Sequence, residues 1–181
     1  VDNSINDNDV FIKSNIQGIH NILKLIAAKD KKNRPRLFHI STDEVYGDIL
    51  DGFYNEESVL RPSNPYSATK ASADMLIKSW GRTYGIDWNI LRPSNNYGPL
   101  QFHEKLIPRS CQRLLKGYPA MLHGNGEYIR SWLHVNDNCD AIRLLIDNAE
   151  KNNIYNIGSN EEISNIDVID IICDNLNIKI E

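Results

Sequence analysis

Residues 64–93 contain a helix with both ends marked, followed at once by a strand. Asn64 suits an N-cap and Pro65 the first helical position, where a missing backbone N–H costs nothing. Gly85 can adopt the left-handed conformation that ends a helix after Tyr84. Residues 87–93 then read as a short apolar strand. A second strand is predicted over 37–41, where Arg36-Leu37-Phe38-His39-Ile40 follows Pro35. Strands alternating with long helices require an α/β fold with a mainly parallel sheet.

The rest of the chain keeps that alternation. Val10, Phe11, Ile16, Ile19, Ile22, Leu23 and Ile26 recur at spacings of three and four and predict a helix over 7–28. Further helices are predicted over 104–116, 137–149 and 166–176, and a strand over 154–157. Residues 120–123 and 128–135 are strand candidates around the turn Gly124-Asn125-Gly126. The stretch 101–134 breaks the rhythm and reads as a small separate lobe.

The 181 residues, 41% hydrophobic, suffice for one substantial core or one core and a lobe. A net charge of −4 without a basic stripe argues against a nucleic-acid partner. No apolar run reaches the roughly 20 residues that span a bilayer, so no membrane association is expected. The opening VDNSINDNDV is acidic and polar, unlike a signal peptide. Cys111, Cys139 and Cys173 are odd in number and far apart, so reduced thiols in a cytoplasmic protein are expected. His20, His39, His103 and His134 carry no metal-ligand spacing.

Two clusters carry chemistry. In HISTDEVYGD, Asp43 and Glu44 stand where a buried strand ends, the edge at which open α/β sheets bind ligands. The alternative is that the two acids merely cap a loop by accepting backbone N–H bonds. In YSATK, Tyr66 and Lys70 share one helix face with Cβ atoms roughly 5–6 Å apart. A neighbouring ammonium favours a phenolate and lowers the tyrosine pKa, so such a pair can take a proton from an alcohol.

The motifs STDEVYGD, NPYSATKASAD, SNNYGP, EKLIP, GNGEYIRSWLHV and YNIGSNEE occur in order across the chain. By them the chain resembles the extended short-chain dehydrogenase/reductase family, in its nucleotide-sugar 4,6-dehydratase branch. The resemblance implies a partial Rossmann-like, mainly parallel sheet with a small C-terminal substrate-binding lobe. Residues 1–100 would be the later part of an NAD-binding domain and 101–181 mainly the lobe, with about 136–157 returning to the sheet. It also implies NAD as cofactor, a nucleotide-activated hexose as substrate, with dTDP-glucose expected, and a homodimer at full length.

The same resemblance implies roles. Tyr66, helped by Lys70, would accept the C4 hydroxyl proton, with Thr42 bonded to the C4 oxygen. Glu44 would remove the C5 proton and Asp43 would protonate the departing C6 hydroxyl. Adjacent like charges and partial burial would keep one acid protonated while the other ionises. Ser14 and Asn96 match cofactor-side positions. Asn95, Lys105, Leu106, His123, Arg130 and Asn165 match substrate contacts, with Arg130 a planar donor to pyrophosphate. Asn165 also reads as an N-cap. Where the family has a tyrosine against the base, this chain has His123, which stacks but offers different hydrogen bonds.

The family begins with a strand and a GxxGxxG turn that this sequence does not contain. Its first 18 residues resemble the family's segment after the fourth strand. The resemblance therefore implies a fragment without the first half of the cofactor domain, inactive alone. Two other readings stay open: an epimerase or decarboxylase of a UDP-sugar on the same fold, and a truncated non-catalytic interaction module.

Overall fold

A computed structural model describes residues 7–49, 52–122 and 124–178; His123 lies outside the described residues. Helix α1 runs through an α turn, Asp9–Phe11, a π segment, Ile12–Gln17, and an α segment, Gly18–Ala27. Strand β1 is Leu37–Ile40, and a 3-10 turn, Asp43–Tyr46, follows it. Helix α2 is Pro65–Tyr84 and strand β2 is Trp88–Pro93. Then come β3, Asn95–Tyr97, α3, Leu106–Leu115, β4, Ile129–His134, and α4, Val135–Asn148. Strand β5, Asn153–Ile157, β6, Glu162–Ser164, and α5, Asn165–Leu176, complete the order.

The chain divides into two units. The first gathers the described residues up to Pro93 with Ala141–Ile157. Its sheet has the order β1-β2-β5, all parallel, with His39 opposite Ile90 and Leu91 opposite Tyr155. Every residue of the central strand β2 is buried, as a parallel strand covered on both faces requires. Ile19, Leu23 and Ile26 of α1 meet Ala73 and Ile77 of α2 and Trp88 and Ile90 of β2 in one core. Leu23 and Ile77 are fully buried, each stabilising the fold by about 1.5–3 kcal/mol. This is the expected Rossmann-like α/β arrangement.

The ends of α2 follow their sequence signals. Asn64 Oδ1 accepts from the Ser67 amide at 2.9 Å, and the Asn64 amide donates to Ser67 Oγ at 3.3 Å. Gly85 closes the helix at φ +67° and donates to the Gly81 carbonyl at 2.9 Å. Asn89, a polar residue inside β2, donates from Nδ2 to the carbonyls of Glu150 and Asn153.

The second unit holds Ser94–Asp140 and the residues from Gly158 onward. Here β4 pairs with β3 in parallel and with β6 in antiparallel fashion. Val168, Ile169, Ile172 and Cys173 of α5 form its core with Leu106, Ile107, Cys111 and Leu114 of α3. Two expectations are corrected here. Residues 120–122 are not a strand: Pro119 lacks a donor, its carbonyl is taken by Arg113 Nε at 2.7 Å, and Ala120 and Leu122 pack from a loop. Ser164, not Asn165, caps α5, its hydroxyl accepting from the Asp167 amide at 3.1 Å.

Candidate active site

The acidic pair sits in the turn that follows β1. Thr42 caps that turn: its hydroxyl accepts from the Glu44 amide at 3.3 Å and lies 3.3 Å from Asp43 Oδ1. Thr42 is buried, and Asp43 and Glu44 are half-buried. Glu44 Oε2 accepts from Asn64 Nδ2 at 3.2 Å. Asn64 caps the helix on which Tyr66 stands two residues later. The turn is anchored behind by Val45 and Tyr46, both buried against Ala71 of α2.

Tyr66 is held from α1. The Phe11 ring meets its ring edge to face, centroids 6.0 Å apart. Asn15 Nδ2 donates to Thr69 Oγ1 at 2.9 Å, and Thr69 Oγ1 donates to the Tyr66 carbonyl at 2.8 Å. Asn15 belongs to the π segment of α1, as does the exposed Ser14, whose hydroxyl lies 3.4 Å from the Phe11 carbonyl. Lys70 Nζ donates to the Ile40 carbonyl at 2.6 Å, placing the ammonium at the carboxyl end of β1.

The electrostatics differ from the simplest reading of a Tyr–Lys pair. Burial pushes the Tyr66 phenol above its ordinary value, and the charges of Glu44 and then Asp43 push it the same way. Burial lowers the Lys70 ammonium, while Asp74 pulls it back up. The net direction at the phenol is therefore upward, opposite to the lowering expected from Lys70 alone. The lysine is spent on a strand carbonyl, and the two acids dominate the phenol's surroundings.

The second unit carries the other expected residues. Asn95 and Asn96 lie on β3, opposite Trp132 and Leu133. Asn96 Nδ2 donates to the Ser94 carbonyl at 2.9 Å, while its Oδ1 is buried without a hydrogen-bond partner. Lys105 occupies the exposed N-cap position of α3, and Leu106 follows, half-buried in the lobe core. Arg130 is exposed on β4, its guanidinium 5.8 Å from the centre of the Tyr128 ring. Asn165 opens α5 and donates its backbone N–H to the Tyr128 carbonyl at 3.1 Å. Among the described residues no group of histidines, cysteines and acids is arranged to hold a metal. No helix among them is long and apolar enough to cross a membrane.

Sequence reasoning overlooked Asn64 beyond its capping role, Phe11 beyond its place in the apolar helix pattern, and Asn15 altogether. The π segment displaces Asn15 from ordinary helical spacing, so no 3.6-residue pattern points to it. Such segments concentrate at functional sites.

Known proteins resemble this chain in sequence and in fold. The chain is 40% identical to a dTDP-glucose 4,6-dehydratase of Salmonella typhimurium over 96% of its length and 53% of that protein's. It is 42% identical to the low-salt glycan biosynthesis protein Agl12 of Haloferax volcanii, over 95% of this chain and 54% of the other. The crystal structure of DesIV, a dTDP-glucose 4,6-dehydratase from Streptomyces venezuelae with NAD bound, superposes at a TM-score of 0.93 with 40% identity. That match covers 99% of this chain and 55% of DesIV. The chain thus spans about half the length of the relatives it matches. A family model described as GDP-mannose 4,6 dehydratase matches residues 1–181, and with that match over the acid-bearing turn and the tyrosine helix the chain belongs to this family.

Proposed function

We propose that this chain carries the acid–base half of an NAD-dependent nucleotide-sugar 4,6-dehydratase, acting on dTDP-glucose to give a 4-keto-6-deoxy sugar nucleotide. The observation that carries the reading is the link between the acidic turn and the tyrosine helix. Glu44 Oε2 accepts from Asn64, whose Oδ1 caps the helix that bears Tyr66, and the charges of Glu44 and Asp43 raise the phenol. An epimerisation at C4 needs the phenol alone; loss of water needs a base at C5 and an acid at C6 as well.

The residues fit a bound nicotinamide cofactor. In the first unit Lys70 and Tyr66 offer groups suited to ribose hydroxyls. In the second unit Asn96, assigned to the cofactor, keeps a buried Oδ1 acceptor with no partner among the described residues. Ser14 adds a hydroxyl on the side of α1. A nicotinamide held by these residues would supply the hydride acceptor for C4 and the hydride donor for C6. The chain's residues move the protons. Tyr66 accepts the C4 hydroxyl proton, and its raised pKa is offset when a cation lies beside it. Thr42 orients the C4 oxygen. Once C4 is a ketone, Glu44 removes the acidified C5 proton. Asp43 protonates the C6 oxygen, which leaves as water, and Glu44 then returns a proton to C5 to complete the 4-keto-6-deoxy product.

Asn95 is assigned to the hexose, Lys105, Leu106 and Asn165 to the nucleotide, and Arg130 to the pyrophosphate. His123 is assigned to the base. The reading extends to a cytoplasmic protein that is a homodimer at full length, with the exposed Met75 and Tyr84 of α2 as candidate contacts.

The test uses the full natural chain that carries these residues. Mass spectrometry of the product from dTDP-glucose is expected to show loss of one water. Glu44→Gln is expected to oxidise C4 yet hardly dehydrate. Near wild-type dehydration by that variant would remove Glu44 from the mechanism. A product of unchanged mass from the wild-type protein would favour the epimerase reading.

A further inference from the structure

We infer that Asn64 is a positioning residue, whose side-chain amide fixes the Glu44 carboxylate to the first turn of the helix that carries Tyr66. The inference rests on the reading of Glu44 as the C5 base.

The geometry leaves the amide little choice. Its Oδ1 accepts from the Ser67 backbone N–H at 2.9 Å. An NH₂ group cannot accept, so this contact settles which end of the amide is oxygen. Nδ2 then points away from the helix and reaches Glu44 Oε2 at 3.2 Å. The Asn64 backbone is held too: its N–H donates to Ser67 Oγ, and its carbonyl accepts from Ser67 Oγ and the Ala68 N–H. Pro65 follows and restricts the conformation of the residue before it. The donor offered to Glu44 therefore sits on a rigid mount.

Residue type matters at this position. Asn, Asp, Ser and Thr all serve as N-caps. Asp would present a second negative charge to Glu44. Ser and Thr carry one short hydroxyl, which cannot cap the helix and also reach across to the turn. Only Asn combines the cap acceptor with a projecting donor. The chemistry gives this a purpose. C4 and C5 are neighbouring ring carbons, so the phenol that serves one and the carboxylate that serves the other must keep a fixed spacing. Reacting groups displaced by about 1 Å lose roughly a hundredfold in rate. One amide bonded to both the turn and the helix holds that spacing.

The full natural chain carrying these residues is compared with its Asn64→Ser variant, which keeps an N-cap and loses the bridge. Three readouts are followed: oxidation at C4 in a single turnover, exchange of the C5 hydrogen with solvent deuterium, and thermal midpoint. The expected result is a loss of about tenfold or more in C5 exchange and dehydration, the range for one hydrogen bond to a charged group. C4 oxidation stays within about twofold, and the melting midpoint moves by no more than about 4 °C, as expected for exchanging one good cap for another. If Asn64→Ser fails to fold, Asn64→Thr, another neutral cap without a projecting donor, supplies the same comparison. C5 exchange at the wild-type rate overturns the inference, and so does an equal loss in C4 oxidation and C5 exchange, which marks a general structural defect. If the unmodified protein dehydrates and the variant keeps C5 exchange, only the positioning role fails. If the unmodified protein forms no dehydrated product, the reading of Glu44 as base fails with it.

Discussion

Asp74 Oδ2 receives both Nε and Nη2 of Arg92, at 3.1 and 3.0 Å, with the two side chains 0% and 2% exposed. This fork joins α2 to the central strand. The remaining Arg92 nitrogen, Nη1, donates to the Tyr46 hydroxyl at 2.7 Å, and that hydroxyl donates to Asn156 Oδ1 at 2.7 Å. Tyr46 closes the turn that carries Asp43 and Glu44. One buried polar chain thus ties the acid-bearing turn to α2, β2 and β5.

Breaking this pair from one side should be expensive. Arg92→Met leaves Asp74 buried without its main countercharge, and burial already pushes that carboxyl above its ordinary value. The expected cost is about 3–5 kcal/mol, read as a lower urea midpoint. The double variant Asp74→Leu/Arg92→Met should cost less than the sum of the two single changes, because it leaves no orphaned charge. Strict additivity would mean that the pair is not coupled.

His39 makes stability depend on pH. Burial, then the positive charge of Lys70, lowers its pKa to about 3 from an ordinary 6.5. The unfolded chain therefore takes up a proton near pH 6.5 while the folded chain does not. The stabilisation is complete above pH 6.5 and is lost progressively as pH falls toward 3. Asp74 works in the opposite sense, since a raised carboxyl pKa means the folded chain binds its proton first. Urea denaturation at pH 7 and pH 5 isolates the histidine by difference. Wild type should lose more stability between these points than His39→Gln, and identical losses would rule the histidine out.

Much of this architecture is legible in the sequence. Helix α2 is marked by Asn64, Pro65 and Gly85, and β1 and β2 by short apolar runs with turn residues beside them. The strands β3 and β6 are three residues each, Asn-Asn-Tyr and Glu-Ile-Ser, and carry no alternation to read. The buried fork of Asp74 and Arg92 is hidden for another reason. Pattern reading assigns charged residues to the surface, and only the fold reveals that each is the other's solvent. Likewise, the spacing of Tyr66 and Lys70 predicts a shared face but not that the ammonium would turn to the Ile40 carbonyl.

The phenol of Tyr66 offers a direct measure of how close the acids stand. Glu44 is the largest charge contribution to its raised pKa after burial. Replacing Glu44 with Gln removes a negative charge, so the phenolate becomes less costly and the pKa should fall. It should remain above the ordinary value of about 10, because burial persists. The change can be followed in the 181-residue chain by carbon NMR of labelled tyrosine, with Tyr66→Phe identifying the resonance. An unchanged titration would place the carboxylate too far away to act beside the phenol.

Gly47 terminates the acidic turn in a conformation that side chains avoid, φ +88°. A Cβ there would also stand 2.2 Å from the Arg61 carbonyl oxygen, a contact that demands backbone movement. The Arg61 amide meanwhile donates to the Val45 carbonyl at 3.1 Å, so the segment around Arg61 lies directly against the turn. Gly47→Ala should therefore cost strain of about 1–3 kcal/mol and overpacking of similar size. Gly52→Ala is the matched control: φ is +73°, but nothing among the described residues lies within 4 Å of the added carbon, so only the strain should appear. The difference between the two urea midpoints measures the clash alone. Relief of that clash has to move either Arg61 or the turn that bears Asp43 and Glu44. In the full natural chain, Gly47→Ala should accordingly slow dehydration by more than its fraction of folded protein explains, while Gly52→Ala should not.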